Sequence, residues 1–363
     1  MENRHNHVTP VLDLGYRTFI IKDFEIFGTT VYFCGLITTQ FPAKAVFGTF
    51  KLSDFQYGNV TYAEFDDYIS FDKLEILAMD RFLLIGKSVN SEYHFIEVQQ
   101  TYAPLSWSMY IYDQVAEYVD RLDDVAGNSQ YAVFTGRNTS QNKGYIFFAD
   151  YASAGWLASP QPIQMLTYAY DVTSPLLLEY CESGVFATVA LGDDSLLSIS
   201  TFSGPTHFTT RQAISGYDIT DVCDLKYKKN QQRLDVLTHH SDYELYYSRI
   251  FHFEPTFIYY TTSTVTGRQA SDYWLSSLEE SPVYVPGGLN LMLSTGFNYY
   301  GNLTLHRYSS TSFNCWEKVE MKVQEIDKEP KETELSFERK RLNVLLYYPS
   351  TTTYTLETNT ICY

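Results

Sequence analysis

Val31-Tyr-Phe-Cys-Gly35, Phe82-Leu-Leu-Ile-Gly86 and Ala132-Val-Phe-Thr-Gly136 share one pattern, a short run of mostly apolar residues closed by glycine. Phe186-Ala-Thr-Val-Ala190, Leu234-Asp-Val-Leu-Thr238, Asn290-Leu-Met-Leu-Ser294 and Asn343-Val-Leu-Leu-Tyr347 repeat it more loosely. Their last residues, 35, 86, 136, 190, 238, 294 and 347, are spaced 48 to 56 apart. Runs this short and apolar, bounded by turn residues, read as buried strands. Self-similarity at a fixed spacing marks a repeat architecture.

The surroundings of each run recur too. A polar loop follows, and then an alternating aromatic-rich strand such as Ala45-Val-Phe-Gly-Thr-Phe-Lys-Leu52, Gly144-Tyr-Ile-Phe-Phe-Ala149 or Leu196-Leu-Ser-Ile-Ser-Thr201. Each such pair reads as a hairpin. A shorter segment that tends to carry acids precedes each run, as in Asp23-Phe-Glu-Ile-Phe27, Asp72-Lys-Leu-Glu-Ile-Leu77, Asp120-Arg-Leu-Asp-Asp-Val125 and Asp221-Val-Cys-Asp-Leu225. For the sixth unit this segment is taken as Pro282-Val-Tyr-Val285. Val60-Thr-Tyr-Ala-Glu64 and Phe257-Ile-Tyr-Tyr-Thr261 supply examples of a fourth, outer strand.

Four short strands at a spacing of roughly 40 to 50 residues are the layout of a propeller blade. The chain resembles the β-propeller superfamily in a WD40/YVTN-like layout, and in its Tyr-rich, acidic composition it resembles uncharacterised bacterial envelope propellers. No recurring Gly-His/Trp-Asp pair and no sialidase-type box narrows the resemblance to a characterised family. The expected fold is all-β: one seven-bladed β-propeller domain over 1–363 with four antiparallel strands per blade. Its approximate units are 20–65, 70–115, 119–170, 175–215, 219–262, 281–320 and 331–363, with 8–19 closing the last blade. Tyr112–Val119 and Asp272–Glu279 read as short helical turns between blades, the second with Ser271 as N-cap.

Composition agrees with sheet. Tyr (32) and Phe (24) are over-used in the 363 residues, and 45% of the chain is hydrophobic, enough for a large core. The formal net charge is -17, and the only basic cluster is Arg339-Lys340-Arg341, which sets nucleic acid aside. No run approaches the roughly 18 apolar residues of a membrane-spanning helix. The N-terminus has no secretory h-region, so the protein is read as cytoplasmic, or as a secreted or envelope protein whose export signal was trimmed. Five cysteines with no Cys-x-x-Cys spacing read as free thiols rather than a disulfide framework or a zinc site.

No Gly-x-Ser-x-Gly elbow, P-loop, Gly-x-Gly-x-x-Gly or His-Glu-x-x-His is present, so no catalytic residue is assigned. The expected function is a non-catalytic binding or scaffold propeller that takes a protein or carbohydrate partner at a rim of the ring. The candidate rim residues are Phe41, Arg137, Asn138, Asn142, His239, His240, Phe297, Asn298, Tyr299, Tyr300 and Tyr347, placed in the loops joining second and third strands. Aromatic rings beside amides and charges suit stacking on sugars or anchoring a protein. His239-His240, with Asp242 nearby, is read as a loop pair after its strand, with a metal or general-base role as the alternative. A polysaccharide-acting hydrolase or lyase using channel-mouth carboxylates is the alternative. No cofactor is expected apart from Ca²⁺ at Glu25, Glu75, Asp123 and Asp224, if these face a central channel. The competing reading is that the same acids cap backbone N–H groups where the chain enters each blade.

Overall fold

In a computed structural model each of the repeated apolar runs lies in the second strand of an antiparallel sheet. The structure describes residues 6–8, 12–13, 19–27, 30–38, 42–51, 61–102, 105–150, 163–228, 232–242, 245–253, 260–264, 274–280, 291–297, 303–312, 315–324, 332–338, 341–349 and 354–362. Two short strands come first, β1 (Asn6–Val8) and β2 (Leu12–Asp13). The first four-stranded sheet follows as β3 (Phe19–Phe27), β4 (Thr30–Ile37), β5 (Lys44–Lys51) and β6 (Thr61–Phe65). The second is β7 (Tyr68–Ala78), β8 (Arg81–Ser88), β9 (Tyr93–Tyr102) and β10 (Leu105–Tyr112). The third is β11 (Arg121–Gly127), β12 (Tyr131–Asn138), β13 (Lys143–Asp150) and β14 (Ile163–Asp171), and the fourth is β15 (Leu177–Cys181), β16 (Val185–Leu191), β17 (Leu197–Phe202) and β18 (Phe208–Ile214). The fifth runs β19 (Ile219–Lys228), β20 (Arg233–Asp242), β21 (Leu245–Phe253) and β22 (Tyr260–Thr264). The sixth runs β23 (Trp274–Glu280), β24 (Leu291–Phe297), β25 (Leu303–Ser312) and β26 (Cys315–Gln324). The last sheet joins β27 (Glu332–Glu338), β28 (Arg341–Pro349) and β29 (Tyr354–Cys362), with β1 and β2 both paired to β29. Asn6 faces Ile361 and Leu12 faces Leu356.

The first strands of successive sheets, β3, β7, β11, β15, β19, β23 and β27, run beside one another, and β27 runs beside β3. Apolar side chains fill the space between neighbouring sheets. Phe47, Phe71, Phe82 and Ile96 join the first and second; Phe95, Phe134 and Phe147 join the second and third; Phe148, Phe186 and Phe202 join the third and fourth. The ring centroids of Phe95 and Phe134 lie 4.2 Å apart and those of Phe134 and Phe147 5.1 Å apart, stacked near-parallel. The heavy use of Phe and Tyr has a cause here: the second, third and fourth sheets bury both faces, and flat rings cover a wide sheet-to-sheet gap. The glycine closing a repeat has its own cause. A Cβ on Gly136 would stand 2.7 Å from the Arg121 carbonyl oxygen, so no larger residue fits where the first two strands of that sheet approach.

Two sequence readings are corrected. Asp272–Glu279 is not a helical turn; Trp274–Glu280 is β23, paired with β24 from Trp274↔Phe297 to Glu280↔Met292. It takes the first-strand position given above to Pro282–Val285, which lies outside the described residues. Strand pairing overrides local helical preference here. At Tyr112–Val119 the expected turn is present as a 3-10 helix over Gln114–Glu117.

Candidate functional site

The acids of the first strands act mainly on backbone. A β-bulge interrupts the pairing of β3 between Ile21 and Asp23, of β7 between Phe71 and Lys73, of β11 between Leu122 and Asp124 and of β19 between Val222 and Asp224. Bulges bend a strand and re-aim its side chains. The carboxylate of Asp23 accepts from the Leu74 N–H at 2.9 Å and that of Glu25 from the Ile76 N–H at 2.9 Å, so the first sheet grips the edge of the second. Asp123 and Asp124 accept from Leu176 and Leu178 at 3.1 and 2.8 Å, and Glu179 accepts from Tyr227 at 3.1 Å. Asp224 and Asp221 accept from the N–H groups of their own successors, Leu225 and Val222. An unpaired N–H on the edge of an inner strand is an obligatory donor, and these carboxylates satisfy it.

Glu25 and Glu75 meet side by side, Glu75 donating its proton to Glu25. Burial first, and then the negative charge of Asp23, pushes the Glu25 carboxyl up to about 7; Glu75 is raised by burial, by Glu25 and by Glu179. Lys226 opposes both shifts, and Lys73 likewise opposes the burial that raises Asp23 and brings Asp124 to about 6. Charges on the first strands of five sheets therefore act on one another, acids interleaved with Lys73 and Lys226. Lys73 and Lys226, in Asp72-Lys73 and Asp224-Leu225-Lys226, carry no signal in the sequence beyond ordinary strand composition.

The sign of the Glu25 shift gives a test. Its folded pKa lies above its unfolded value of 4.5, so the native state binds the extra proton between about 4.5 and 7, and its stabilisation is lost as pH rises through that window. Glu25→Gln keeps an acceptor for the Ile76 N–H and carries no charge. It is expected to stabilise the protein by roughly 1–3 kcal/mol at pH 8 and by nothing at pH 4. Denaturant melts of both proteins at the two pH values measure this; a difference that does not change with pH contradicts it.

At the end of the sheets where second strands lead into third strands, Arg137 and Asn138 close β12. Arg137 is not a rim side chain: it is 6% exposed and its Nε and Nη2 donate to the two Asp123 oxygens at 2.7 and 2.9 Å, while Nη1 reaches the Thr173 carbonyl. Burial raises the Asp123 carboxyl, and Arg137 opposes that. Asn138 lies at the surface, and Asn142 sits in the turn beyond with φ 52°, a left-handed backbone that asparagine tolerates, its carbonyl accepting from Val172 N–H. A groove of about 270 Å³ opens beside Asn138, between the second and third sheets, lined by Glu92, Tyr93, Glu117, Tyr118 and Asp120. Tyr118 is 45% exposed. Asp120 also fixes the next turn, accepting from the Thr139 N–H and hydroxyl at 3.0 and 2.7 Å. Asp120 stands in the sequence as an acid ahead of a repeated run, and Glu117 and Tyr118 within a helical turn, but nothing there groups them with Glu92 and Tyr93, because only the fold brings the start of β9 beside the connection into β11.

His239 and His240 lie inside β20 rather than in a loop after it. His240 is fully buried, its ring stacked 6.1 Å from Phe251 and its Nε2 2.7 Å from the Thr238 hydroxyl. Burial, then Arg249, brings its pKa down to about 3, so it is a neutral core residue and not a rim ligand. His239 projects to the other face. It comes together with Asp221 and Cys223, one ligand atom from each lying within 4.8 Å of the others. Phe41, Asn298, Tyr299 and Tyr300 lie outside the described residues, and of Phe297 and Tyr347 the structure gives backbone pairing alone, with Trp274 and Glu332. Among the described residues no helix is long and apolar enough to cross a membrane.

No family model matches the chain, and no curated protein does. Solved structures do. The chain is similar to the β-propeller domain of the Trilobed protease from Pyrococcus furiosus, which has an open velcro topology (TM-score 0.54, 9% identity, 94% of this chain and 93% of that one). It is similar to the polysaccharide lyase Uly1 (0.55, 8%, 94% and 89%) and to Drosophila Semaphorin 1a, extracellular domains 1-2 (0.58, 6%, 95% and 87%). At such identities the likeness concerns architecture alone, and with antiparallel four-stranded sheets side by side it establishes that this chain has the β-propeller fold.

Proposed function

We propose that the chain is a closed seven-bladed propeller acting as a non-catalytic binding platform, and that it takes a basic segment of a protein partner at the groove between its second and third blades. The pairing of β1 and β2 with β29, and the run of β27 beside β3, support closure. The groove carries the functional reading: Glu92, Glu117 and Asp120 line it together with Tyr93 and Tyr118 on a chain of net charge -17, and this chain's own Lys87 already stands 5.5 Å over the Tyr93 ring, as a partner's cation would over Tyr118. Carboxylates beside tyrosine faces suit Lys and Arg side chains, which gain both ion pairing and cation–π contact. A partner surface anchored by a few such residues is the ordinary pattern of protein recognition. Sugar stacking on the same rings is the outcome to be separated from it.

An array of Lys/Arg-rich, neutral and acidic peptides, printed beside a glycan panel, tests this. Selective capture of basic peptides is expected, falling steeply with salt. Glu92→Lys/Glu117→Lys/Tyr118→Ala should weaken capture at least about tenfold, the factor that 1.4 kcal/mol of lost contact gives, with an unchanged melt. Equal capture of all peptide classes, or capture indifferent to the triple variant, removes the groove from consideration.

A further inference from the structure

The fifth blade repeats the geometry of the third with different chemistry. In the third, Arg121 pairs with Arg137 across β11 and β12, and the bulge leaves Asp123 as the extra residue. In the fifth, Asp221 pairs with His239 across β19 and β20, and the bulge leaves Cys223 as the extra residue. Position by position, Arg121, Asp123 and Arg137 become Asp221, Cys223 and His239. The third blade fills this place with its own ions: Arg137 grips Asp123 at 2.7 Å and Arg121 approaches it at 3.8 Å. The second blade is similar in kind, Ser70 pairing with Lys87 and Asp72 standing at the bulge. In the fifth blade the same three positions hold a carboxylate, a thiol and an imidazole, with neither Lys nor Arg among them.

We propose that Asp221, Cys223 and His239 form a binding site for a divalent transition-metal ion of the zinc type. The donor set of one S, one N and one O matches the three-ligand zinc centres that leave a fourth position open. Sulfur and imidazole select such an ion over Ca²⁺ or Mg²⁺. Zinc-bound donors stand about 3.3–3.7 Å apart by tetrahedral geometry, so atoms already within 4.8 Å need side-chain adjustments on the order of 1 Å. Asp221 is exposed, which gives the ion a path in. One Asp221 oxygen accepts from the Val222 N–H at 2.9 Å, a bond that holds the carboxylate in place for the metal. Burial, and then the charges of Asp221 and Asp224, raises the Cys223 thiol. On binding, the sulfur–metal bond forms as the S–H bond breaks, and the proton leaves to the buffer.

Co²⁺, a spectroscopic stand-in for Zn²⁺, tests the site on the full chain after reduction and treatment with chelator. One equivalent is expected to bind with a sulfur-to-cobalt charge-transfer band, and Zn²⁺ should abolish that band by displacement. Cys223→Ser should lose the band. His239→Gln and Asp221→Asn should each weaken Co²⁺ affinity by at least the roughly 10–100-fold that losing an outer-shell partner costs. If Cys223→Ser does not fold, these two variants decide alone, and wild-type affinity in both overturns the proposal. A band that never appears, or that survives in folded Cys223→Ser, overturns it as well.

Discussion

Asp235→Ala is expected to destabilise the protein by about 3–5 kcal/mol, the cost of leaving buried charge without its partner. Asp235 has no exposed surface and lies near the start of β20. His252 on β21, 2% exposed, donates Nδ1–H to it at 2.8 Å, and Arg233 on its own strand donates from Nη2 at 3.2 Å. The register explains the arrangement, because Asp235 and His252 are directly opposed. At roughly 2.1 cal/mol/K of unfolding entropy per residue, a chain of this length should melt about 4–7 °C lower. Asp235→Asn, which keeps an acceptor for His252 but removes the charge facing Arg233, should fall between. Calorimetry on the three proteins measures this, and a loss below about 1 kcal/mol in Asp235→Ala would show that water replaces the carboxylate.

Asp123→Ala should cost a similar amount, about 3–5 kcal/mol, by a different route. It strands the buried Arg137 guanidinium and also frees the Leu176 N–H on the edge of the fourth blade. Asp123→Ala/Arg137→Met removes both charges and should recover most of the loss, since an apolar replacement of a buried pair is often nearly neutral. Urea melts of the two single variants and the double variant complete the cycle. Additive losses would contradict the ion pair and leave Asp123 as a cap for Leu176 alone.

The fold was legible because its signal is repeated and apolar. Runs such as Phe82–Gly86 and Ala132–Gly136 need two buried faces, and only strands inside stacked sheets provide them. The sixth blade was misplaced because Trp274-Leu-Ser-Ser-Leu-Glu-Glu280 carries apolar residues at helical spacing; pairing with β24 decides it, and no local preference records that pairing. The site was less legible for a related reason. Whether a strand residue faces channel, core or rim depends on bulges. The bulge before Asp224 makes Cys223 an extra residue and brings it to His239, while His240, one position on, is committed to the core. A sequence shows His239-His240 as a pair, but a strand separates adjacent residues onto opposite faces. Arg137 looked like a rim cation for the same lack of a partner in view, its carboxylate being fourteen positions away across a strand pair.

Five carboxylate grips between blades among the described residues point one way along the chain. Asp23, Glu25, Asp123, Asp124 and Glu179 each hold a backbone N–H that comes later, at sequence separations of 51, 51, 53, 54 and 48. A nascent chain therefore always presents an acceptor before the strand it will catch has been made, and each capture closes a loop of one blade's length at the same modest entropic cost. Docking β1 onto β29 is different in kind, since Asn6 and Ile361 are nearly a whole chain apart. Growth by these grips is local, whereas that last pairing waits for β29 and spans the largest sequence separation among the described pairings, so it is expected to be the slow step of folding.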